Sequence, residues 1–284
     1  MYTTRIDEEH RAAILLLCDR SGSMAEETRL DGMTMTRAEA VACLINQLLD
    51  ELLGRMRRAD RVRDCLDIAL LEYAGDGVVP LLSPDGGFVP VAELLRRPVE
   101  VRPRHVLRRL PSGNQVAATI PQRQWIDAKA SGNTPMRAAF DEAERLARRW
   151  CTHPAHRNSF PPIVINITDG EASDADDEEL LAAAERLRAL STGDGNLLLF
   201  NIHLASETDD PADSLRFPSE TDRLPDRPHA RLLYALSSTL PSCYNEAIRT
   251  ERPEGRPPFR AVSYNCPINT LFAVLTVGTT AAIL

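Results

Sequence analysis

The feature that most constrains the fold is an unbroken apolar run at residues 13–18, Ala-Ile-Leu-Leu-Leu-Cys, which ends directly in Asp19. A run of this kind predicts a β-strand buried on both faces, as in the middle of a parallel sheet. Ser21 and Ser23 follow in the next loop. Because open α/β sheets bind ligands at the carboxyl ends of their strands, we expect Asp19, Ser21 and Ser23 to lie where such a fold holds its chemistry.

Two later stretches supply further oxygen side chains. Residues 161–171 contain a second buried apolar strand that again ends in a carboxylate, Asp169. Residues 131–136, Ser-Gly-Asn-Thr-Pro-Met, open a helical run and place the hydroxyl of Thr134 at its N-terminus. Carboxylates and hydroxyls without an imidazole or a thiolate suit Mg²⁺, Mn²⁺ or Ca²⁺ and argue against zinc.

The order of these three pieces resembles the metal-ion-dependent adhesion site (MIDAS) of the von Willebrand factor type A (vWA) domain. That site consists of Asp-x-Ser-x-Ser, a Thr from a later loop and an Asp that closes a central strand. The resemblance implies one Mg²⁺, or Mn²⁺ or Ca²⁺, and a protein partner that supplies an acidic residue to the metal. The metal ligands that it implies are Asp19, Ser21, Ser23, Thr134 and Asp169.

Three short sequences extend the resemblance to a subgroup. Leu-Cys-Asp-Arg-Ser-Gly-Ser-Met at 17–24, Gly-Asn-Thr-Pro-Met at 132–136 and Asn-Ile-His-Leu at 201–204 are similar to bacterial cytoplasmic vWA proteins of the tellurium-resistance type. This implies a cytoplasmic adaptor or regulatory subunit in a stress-response system, with a protein kinase or a PP2C-type phosphatase as partner. The alternative in the same class is an adaptor for a MoxR-like AAA+ ATPase, which genomic neighbours would distinguish.

The competing class is a Mg²⁺-dependent phosphoester hydrolase. Such an enzyme needs a nucleophile or a general base beside its metal. The motifs contain no His, no Lys and no additional carboxylate for that purpose, and the sequence has neither a Gly-x-Ser-x-Gly elbow around Ser21 or Ser23 nor a Walker A motif. We therefore expect a binding module rather than an enzyme.

The order of apolar segments predicts an α/β fold of the doubly wound, Rossmann-like kind. We expect a mostly parallel central sheet with one antiparallel edge strand and helices on both faces, as the vWA resemblance also implies. Further strands are predicted at 66–73, at 78–82 (the antiparallel edge strand), at 196–204 and at 259–264 (a last, edge strand). Helices are predicted at 36–53, at 136–150, from the acidic residues 173–179 to Leu190, at 230–240 and after Pro267.

The 284 residues are predicted to form one vWA domain, 1–284. Residues 83–130 are longer than a simple crossover needs, and we expect them to form an elaboration beside the sheet, with a short helix at 91–96 and extended structure at 99–110. A disordered loop is the alternative, which Trp125 disfavours. Residues 207–229 are rich in Pro and Asp and are predicted to form a long surface loop.

Composition excludes some partners and locations. The net charge of −8 argues against nucleic acid as a partner. Residues 1–11 are polar and lack the pattern of a leader peptide, and the apolar residues 267–284 are read as a docked helix rather than a membrane span. Six widely spaced cysteines indicate buried thiols in a reducing compartment, so we expect a cytoplasmic protein without a membrane contact.

Three other clusters have alternative interpretations. Cys151, His153 and His156 have ligand chemistry, but a polar loop is favoured because Pro154 interrupts them and no partner pair lies nearby. The acidic residues at 173–179 suit either calcium or the first turn of a helix, and we favour the helix. His203 is interpreted as a core histidine rather than a ligand.

Overall fold

The computed structural model describes residues 2–58, 61–75, 77–84, 86–109, 115–206 and 210–280. The strands are β1 (Ala12–Asp19), β2 (Glu27–Leu30), β3 (Met33–Thr36), β4 (Arg57–Arg58), β5 (Arg61–Val62), β6 (Leu66–Ala74), β7 (Gly77–Pro80), β8 (Val89–Pro90), β9 (Glu100–Arg109), β10 (Gln115–Gln124), β11 (Ile163–Thr168), β12 (Leu198–Leu204), β13 (Leu215–Arg216) and β14 (Val262–Cys266). The α-helices are α1 (Arg37–Met56), α2 (Met136–Cys151), α3 (Asp177–Arg188), α4 (Pro228–Leu236), α5 (Asn245–Glu251) and α6 (Ile268–Thr279).

One sheet organises the part of the chain that the structure describes. Its order is β13-β14-β12-β11-β1-β6-β7, and β8 also pairs with β6. The pairs from β14 through β12, β11 and β1 to β6 are parallel. At one edge, β7 and β8 run antiparallel to β6, which includes the edge strand predicted at 78–82. The predicted doubly wound, mostly parallel α/β fold is confirmed.

The prediction that residues 259–264 form an edge strand is wrong. This segment corresponds to β14, which lies between β12 and the short strand β13, with Leu215 opposite Tyr264. Strand β13 comes from within the predicted surface loop 207–229. A strand of two residues is too short to show an alternating hydrophobic pattern, so the sequence does not predict β13.

Alternate side chains of β1 face opposite layers of helices. Ile14, Leu16 and Cys18 pack into the cluster that contains α1 and α6, whereas Leu15 and Leu17 pack into the cluster that contains α2, α3 and α4. All five are at most 1% exposed. This explains why the strand is a continuous apolar run, because each of its faces is covered by helices.

Capping boxes start α1 and α3. The side chain of Thr36 accepts from the backbone N–H of Glu39, whose carboxylate in turn accepts from the backbone N–H of Thr36. Asp176 and Glu179 make the same reciprocal pair at α3. The acidic residues at 173–179 thus include a helix cap and the acidic first turn of α3, as the favoured interpretation predicted.

The elaboration at 83–130 contains β8, a 3₁₀ helix at Val91–Arg96 and the antiparallel hairpin of β9 and β10. The elaboration is attached to helix α1 through Asn46, which is fully buried. The Asn46 amide nitrogen donates to the Gln124 side chain (2.8 Å) and to the Ile126 carbonyl (3.0 Å). The Asn46 oxygen accepts from the backbone N–H groups of Trp125 (2.8 Å) and Ile126 (3.2 Å). The described part of the elaboration is therefore packed against α1.

Parts of several predictions lie outside the described residues. These are residues 85 and 110–114 of the elaboration, residues 207–209 of the surface loop and residues 281–284 of the closing segment. The single-domain boundary 1–284 stays a prediction.

None of the described helices has the length and apolar character that a membrane crossing requires. Helix α6 instead buries Leu271, Val274 and Leu275 in the core. No disulfide joins the six cysteines, all of which are described.

Replacing Asn46 with Leu is expected to destabilise the fold by about 2–4 kcal/mol, because two buried backbone N–H groups lose their acceptor. Urea unfolding of the two proteins measures the difference. Arg55→Leu, at an exposed position of the same helix, is the control and should change the stability by about 0.5 kcal/mol or less. Equal stability of Asn46→Leu and wild type would show that this buried amide does not anchor the elaboration.

Candidate metal centre

The two carboxylates of the predicted site leave adjacent parallel strands at the same edge of the sheet. Asp19 is the last residue of β1, and Asp169 directly follows the last residue of β11. Cys18 is opposite Ile167 in this pair of strands, so both chains reach the edge together. Asp19 is 1% exposed, and the side chain of Asp169 is 0% exposed. The strand register therefore brings two buried acids to one place.

The serines join the two carboxylates through the loop after β1. The backbone N–H of Ser21 donates to Asp19 Oδ1 (2.8 Å). The hydroxyl oxygens of Ser21 and Ser23 are 3.1 Å apart, and Ser23 Oγ donates to Asp169 Oδ1 (2.7 Å). The Asp-x-Ser-x-Ser motif thus folds back on its own first residue and reaches the second carboxylate.

Thr134 belongs to the same group of oxygens. Its hydroxyl lies 3.7 Å, and that of Ser23 lies 4.0 Å, from the point where a Cβ on Gly170 would stand. Helix α2 begins after Pro135, and the Asp174 carboxylate caps it by accepting from the backbone N–H groups of Arg137 (3.1 Å) and Ala138 (2.9 Å). The Thr134 hydroxyl therefore does not act as a helix cap. The structure therefore places Asp19, Ser21, Ser23, Thr134 and Asp169 in one region at the edge of the sheet.

The loop that carries Thr134 is attached to the loop after β1 and to the turn after β6. Gly22 N–H donates to the Gly132 carbonyl (2.9 Å), Ser131 N–H to the Arg20 carbonyl (2.8 Å) and Gly75 N–H to the Asn133 carbonyl (3.0 Å). Gly132 has a φ of +72°, and a Cβ there would stand 2.6 Å from the Cα of Gly75. Only glycine permits this close approach.

Two further residues at the centre were missed by the sequence analysis. Thr168 Oγ donates to Asp19 Oδ2 (2.6 Å). Arg37, the first residue of α1, donates from Nη1 to Asp169 Oδ2 (2.7 Å) and from Nη2 to Glu26 Oε2 (2.7 Å). The Arg37 side chain is only 4% exposed. Thr168 could have been recognised from its position, because it directly precedes Asp169 at the end of a predicted strand. Nothing in the motif points to Arg37.

Burial sets the electrostatics of the centre. It raises the pKa of Asp19 to about 6, although the hydrogen bonds from Thr168 and Ser21 lower this pKa. The neighbouring Asp169 carboxylate raises the pKa of Asp19 further. A cation among these oxygens would offset the cost of two buried negative charges, of which Arg37 compensates only one.

The donor set fits a hard divalent cation. Two carboxylates and three hydroxyls supply oxygen ligands of the kind that Mg²⁺, Mn²⁺ and Ca²⁺ prefer. Among the described residues, no group of three or more His, Cys, Asp or Glu side chains is arranged to hold a metal ion. The candidate centre therefore depends on its hydroxyls as well as its carboxylates.

The alternative ligand cluster at 151–156 has a structural role. The His156 ring stacks on Trp150 with a centroid distance of 4.1 Å, and its Nδ1 lies 3.0 Å from the Trp150 carbonyl oxygen. His203 is buried and stacks on Tyr264 with a centroid distance of 4.7 Å. Both observations agree with the favoured interpretations of a polar loop and a core histidine.

Comparisons with known proteins give similarities at low identity. No family model matches the sequence, and a search of curated proteins finds no match. Among solved structures, the chain is similar to a von Willebrand factor type A protein from Catenulispora acidiphila, with 12% identity and a TM-score of 0.47 over 96% of this chain and 42% of that one. It is also similar to the vWF domain of the type V pili tip protein Mfa5 from Porphyromonas gingivalis, with 12% identity and a TM-score of 0.35 over 75% of this chain and 45% of that one. The chain thus spans less than half the length of either structure.

Replacing Arg37 with Met is expected to destabilise the protein by about 3–5 kcal/mol, because the buried Asp169 carboxylate loses its charged partner. Urea unfolding in EDTA measures this without a contribution from divalent cations. The matched control is Arg29→Met on the exposed β2–β3 hairpin, which should stay within about 0.5 kcal/mol of wild type. A similar small change for Arg37→Met would mean that Asp169 does not need the guanidinium.

Proposed function

We propose that this chain is a metal-dependent protein-binding module of the vWA type with a MIDAS. Its metal ligands are Asp19, Ser21, Ser23, Thr134 and Asp169, directly or through water, and its cofactor is Mg²⁺, or Mn²⁺ or Ca²⁺. The observation that carries the proposal is the convergence of oxygens from three distant segments at the carboxyl edge of a parallel sheet.

The hydrogen bonds suggest different roles for the two carboxylates. Both carboxylates accept hydrogen bonds at both oxygens, but Asp169 accepts one of them from the charged guanidinium of Arg37. Asp19 accepts only from neutral groups, the Ser21 amide and the Thr168 hydroxyl. Asp169 would then act mainly through its charge and through water, whereas the serine hydroxyls and Thr134 supply direct oxygen ligands. A bound divalent cation would keep a coordination position for one more oxygen ligand. We propose that a carboxylate of a protein partner takes this position.

The proposed role is non-enzymatic. Among the residues that the structure describes, the basic group that contacts the predicted ligands is Arg37, whose two terminal nitrogens are bound to Asp169 and Glu26. A guanidinium remains protonated at neutral pH and is unsuited to act as a general base. A Mg²⁺-dependent phosphoester hydrolase remains the competing hypothesis. Phosphoester turnover by the pure protein, lost in Asp19→Ala, would favour it.

The cellular context is proposed from the sequence motifs. We propose a cytoplasmic adaptor or regulatory subunit in a stress-response system of the tellurium-resistance type, acting with a protein kinase or a PP2C-type phosphatase. An adaptor for a MoxR-like AAA+ ATPase is the alternative. The partner is thus expected to be a protein rather than nucleic acid or a membrane, in agreement with the net charge of −8.

Wild-type protein is expected to bind one Mg²⁺ in calorimetry, and Asp19→Ala is expected to lose this binding because the ion loses a buried carboxylate ligand. Glu27→Ala, an exposed acid on the neighbouring hairpin, is the control and should bind as wild type does. Unchanged Mg²⁺ binding by Asp19→Ala would contradict the assignment of the site.

Thr134→Ala is expected to retain most of the Mg²⁺ affinity but to lose metal-dependent partner capture, because the carboxylates supply the charge and Thr134 contributes a neutral oxygen. Pulldowns from native lysate with Mg²⁺ or EDTA, analysed by mass spectrometry, compare the variants. Ser131→Ala removes an exposed hydroxyl from the same loop and should capture the partner normally. If Thr134→Ala also captures it normally, the adhesion-site hypothesis is wrong.

A further inference from the structure

A small cavity lies close in sequence to the candidate metal centre and serves no purpose in the proposed coordination. Its volume is about 120 Å³, and its walls come from the segment after β11, the start of α3 and the start of α4. Glu171, Asp177 and His229 are its ionisable lining residues. Glu171 follows the metal ligand Asp169 by two residues. The cavity has room for the end of a side chain but not for a nucleotide.

His229 has unmet hydrogen-bonding capacity in this cavity. The residue is 9% exposed, and neither Nδ1 nor Nε2 has a hydrogen-bond partner within the described part of the chain. Burial lowers the pKa of His229, although Glu171 and Asp177 raise it. The imidazole is therefore neutral at pH 7 and offers one acceptor nitrogen. Buried polar atoms normally have partners, so an unpaired ring that lines a cavity indicates a ligand position.

The other lining residues of the cavity are of two kinds, acidic side chains and apolar side chains. Glu171 and Asp177 are exposed residues, and within the described part of the chain their carboxylates make no hydrogen bond or ion pair. Leu180 and Leu232 supply apolar walls. Behind His229 stands the His203 ring, at a centroid distance of 5.1 Å. Acidic groups near an apolar, aromatic interior are suited to a cation on an aliphatic chain.

We propose that this cavity binds a primary ammonium group, the lysine side chain of the partner that engages the metal centre. This identification of the ligand rests on the proposed binding function. An ammonium group has three N–H donors, and the cavity offers the His229 nitrogen and the carboxylates of Glu171 and Asp177 as acceptors. A metal ion is a poorer fit, because no described group of three such side chains has the arrangement that a metal needs.

The segment after β11, which forms part of the cavity wall, is also hydrogen-bonded to the loop that carries Thr134. Thr134 N–H donates to Ser173 Oγ (3.0 Å), and Ser173 N–H donates to the Thr134 carbonyl (2.9 Å). Ser173 lies between Glu171 and Asp177 in the chain. One short segment therefore borders both the metal centre and the cavity. A partner that presents an acid and a lysine would contact both.

The test uses the full chain in EDTA and follows the His229 imidazole signals by NMR, assigned by comparison with His229→Gln. N-acetyl-lysine methylamide should shift these signals saturably, with a dissociation constant of roughly 1 mM, as is typical of so small a ligand. N-acetyl-norleucine methylamide, which lacks the charge, should leave them unchanged. Equal shifts with both probes, or none with either, would overturn the proposal.

Variants at the mouth of the cavity complete the test. Glu171→Gln and Asp177→Asn are each expected to weaken binding of the lysine probe about tenfold, whereas the adjacent Glu178→Gln should not change it. Wild-type affinity in both mouth variants would also overturn the proposal. Asp19→Ala should bind the probe normally, because the cavity does not need the metal. Failure of the metal centre and failure of the cavity are therefore measured separately.

Discussion

The parallel pairing of β1 with β11 is the constraint on which the rest of the centre depends, because it delivers two carboxylates to one buried edge. Each buried charge costs several kcal/mol unless it is compensated. The compensation comes from different elements: Thr168 and the Ser21 amide bind Asp19, while Ser23 and Arg37 bind Asp169. The loops at this edge are therefore arranged around the two acids, and the apolar strands hold those acids in place.

How much of the structure the sequence predicts depends on how far apart in the chain the interacting residues lie. A strand covered on both faces needs apolar residues throughout, so β1 and β11 were recognisable as continuous runs. The capping boxes of α1 and α3 are local and were equally visible. The site motif was visible because Asp19 and Asp169 lie at strand ends and Ser21 and Ser23 follow Asp19 at short, regular spacing. In contrast, Arg37 reaches Asp169 across 132 positions of sequence, and only the tertiary fold shows this pairing. Strand β13 exists because β14 offers it an edge, which no local pattern reveals.

The structure also refines the role of Thr134. A glycine-containing loop suggests freedom to move, yet backbone hydrogen bonds tie this loop to Arg20, Gly22 and Gly75, and Ser173 holds Thr134 from the other side. The Gly132 position is set by a close approach to Gly75 rather than by a need for flexibility. Any shift of Thr134 toward a ligand must therefore involve the loop after β1 and the segment after β11 as well. Such coupling would make partner binding sensitive to residues that touch no metal.

Two adjacent sites of opposite preference would explain how such a module selects its partner. A metal centre alone accepts any accessible carboxylate, which offers little discrimination. A neighbouring cavity with two acidic groups repels a purely acidic ligand and attracts one that also carries a basic side chain. The distance between the two charges on the partner then becomes part of the recognition. Because Ser173 links the cavity wall to Thr134, occupancy of the cavity would also bias the position of Thr134. The proposed selection of a partner and the proposed metal-dependent binding would then depend on the same short segment.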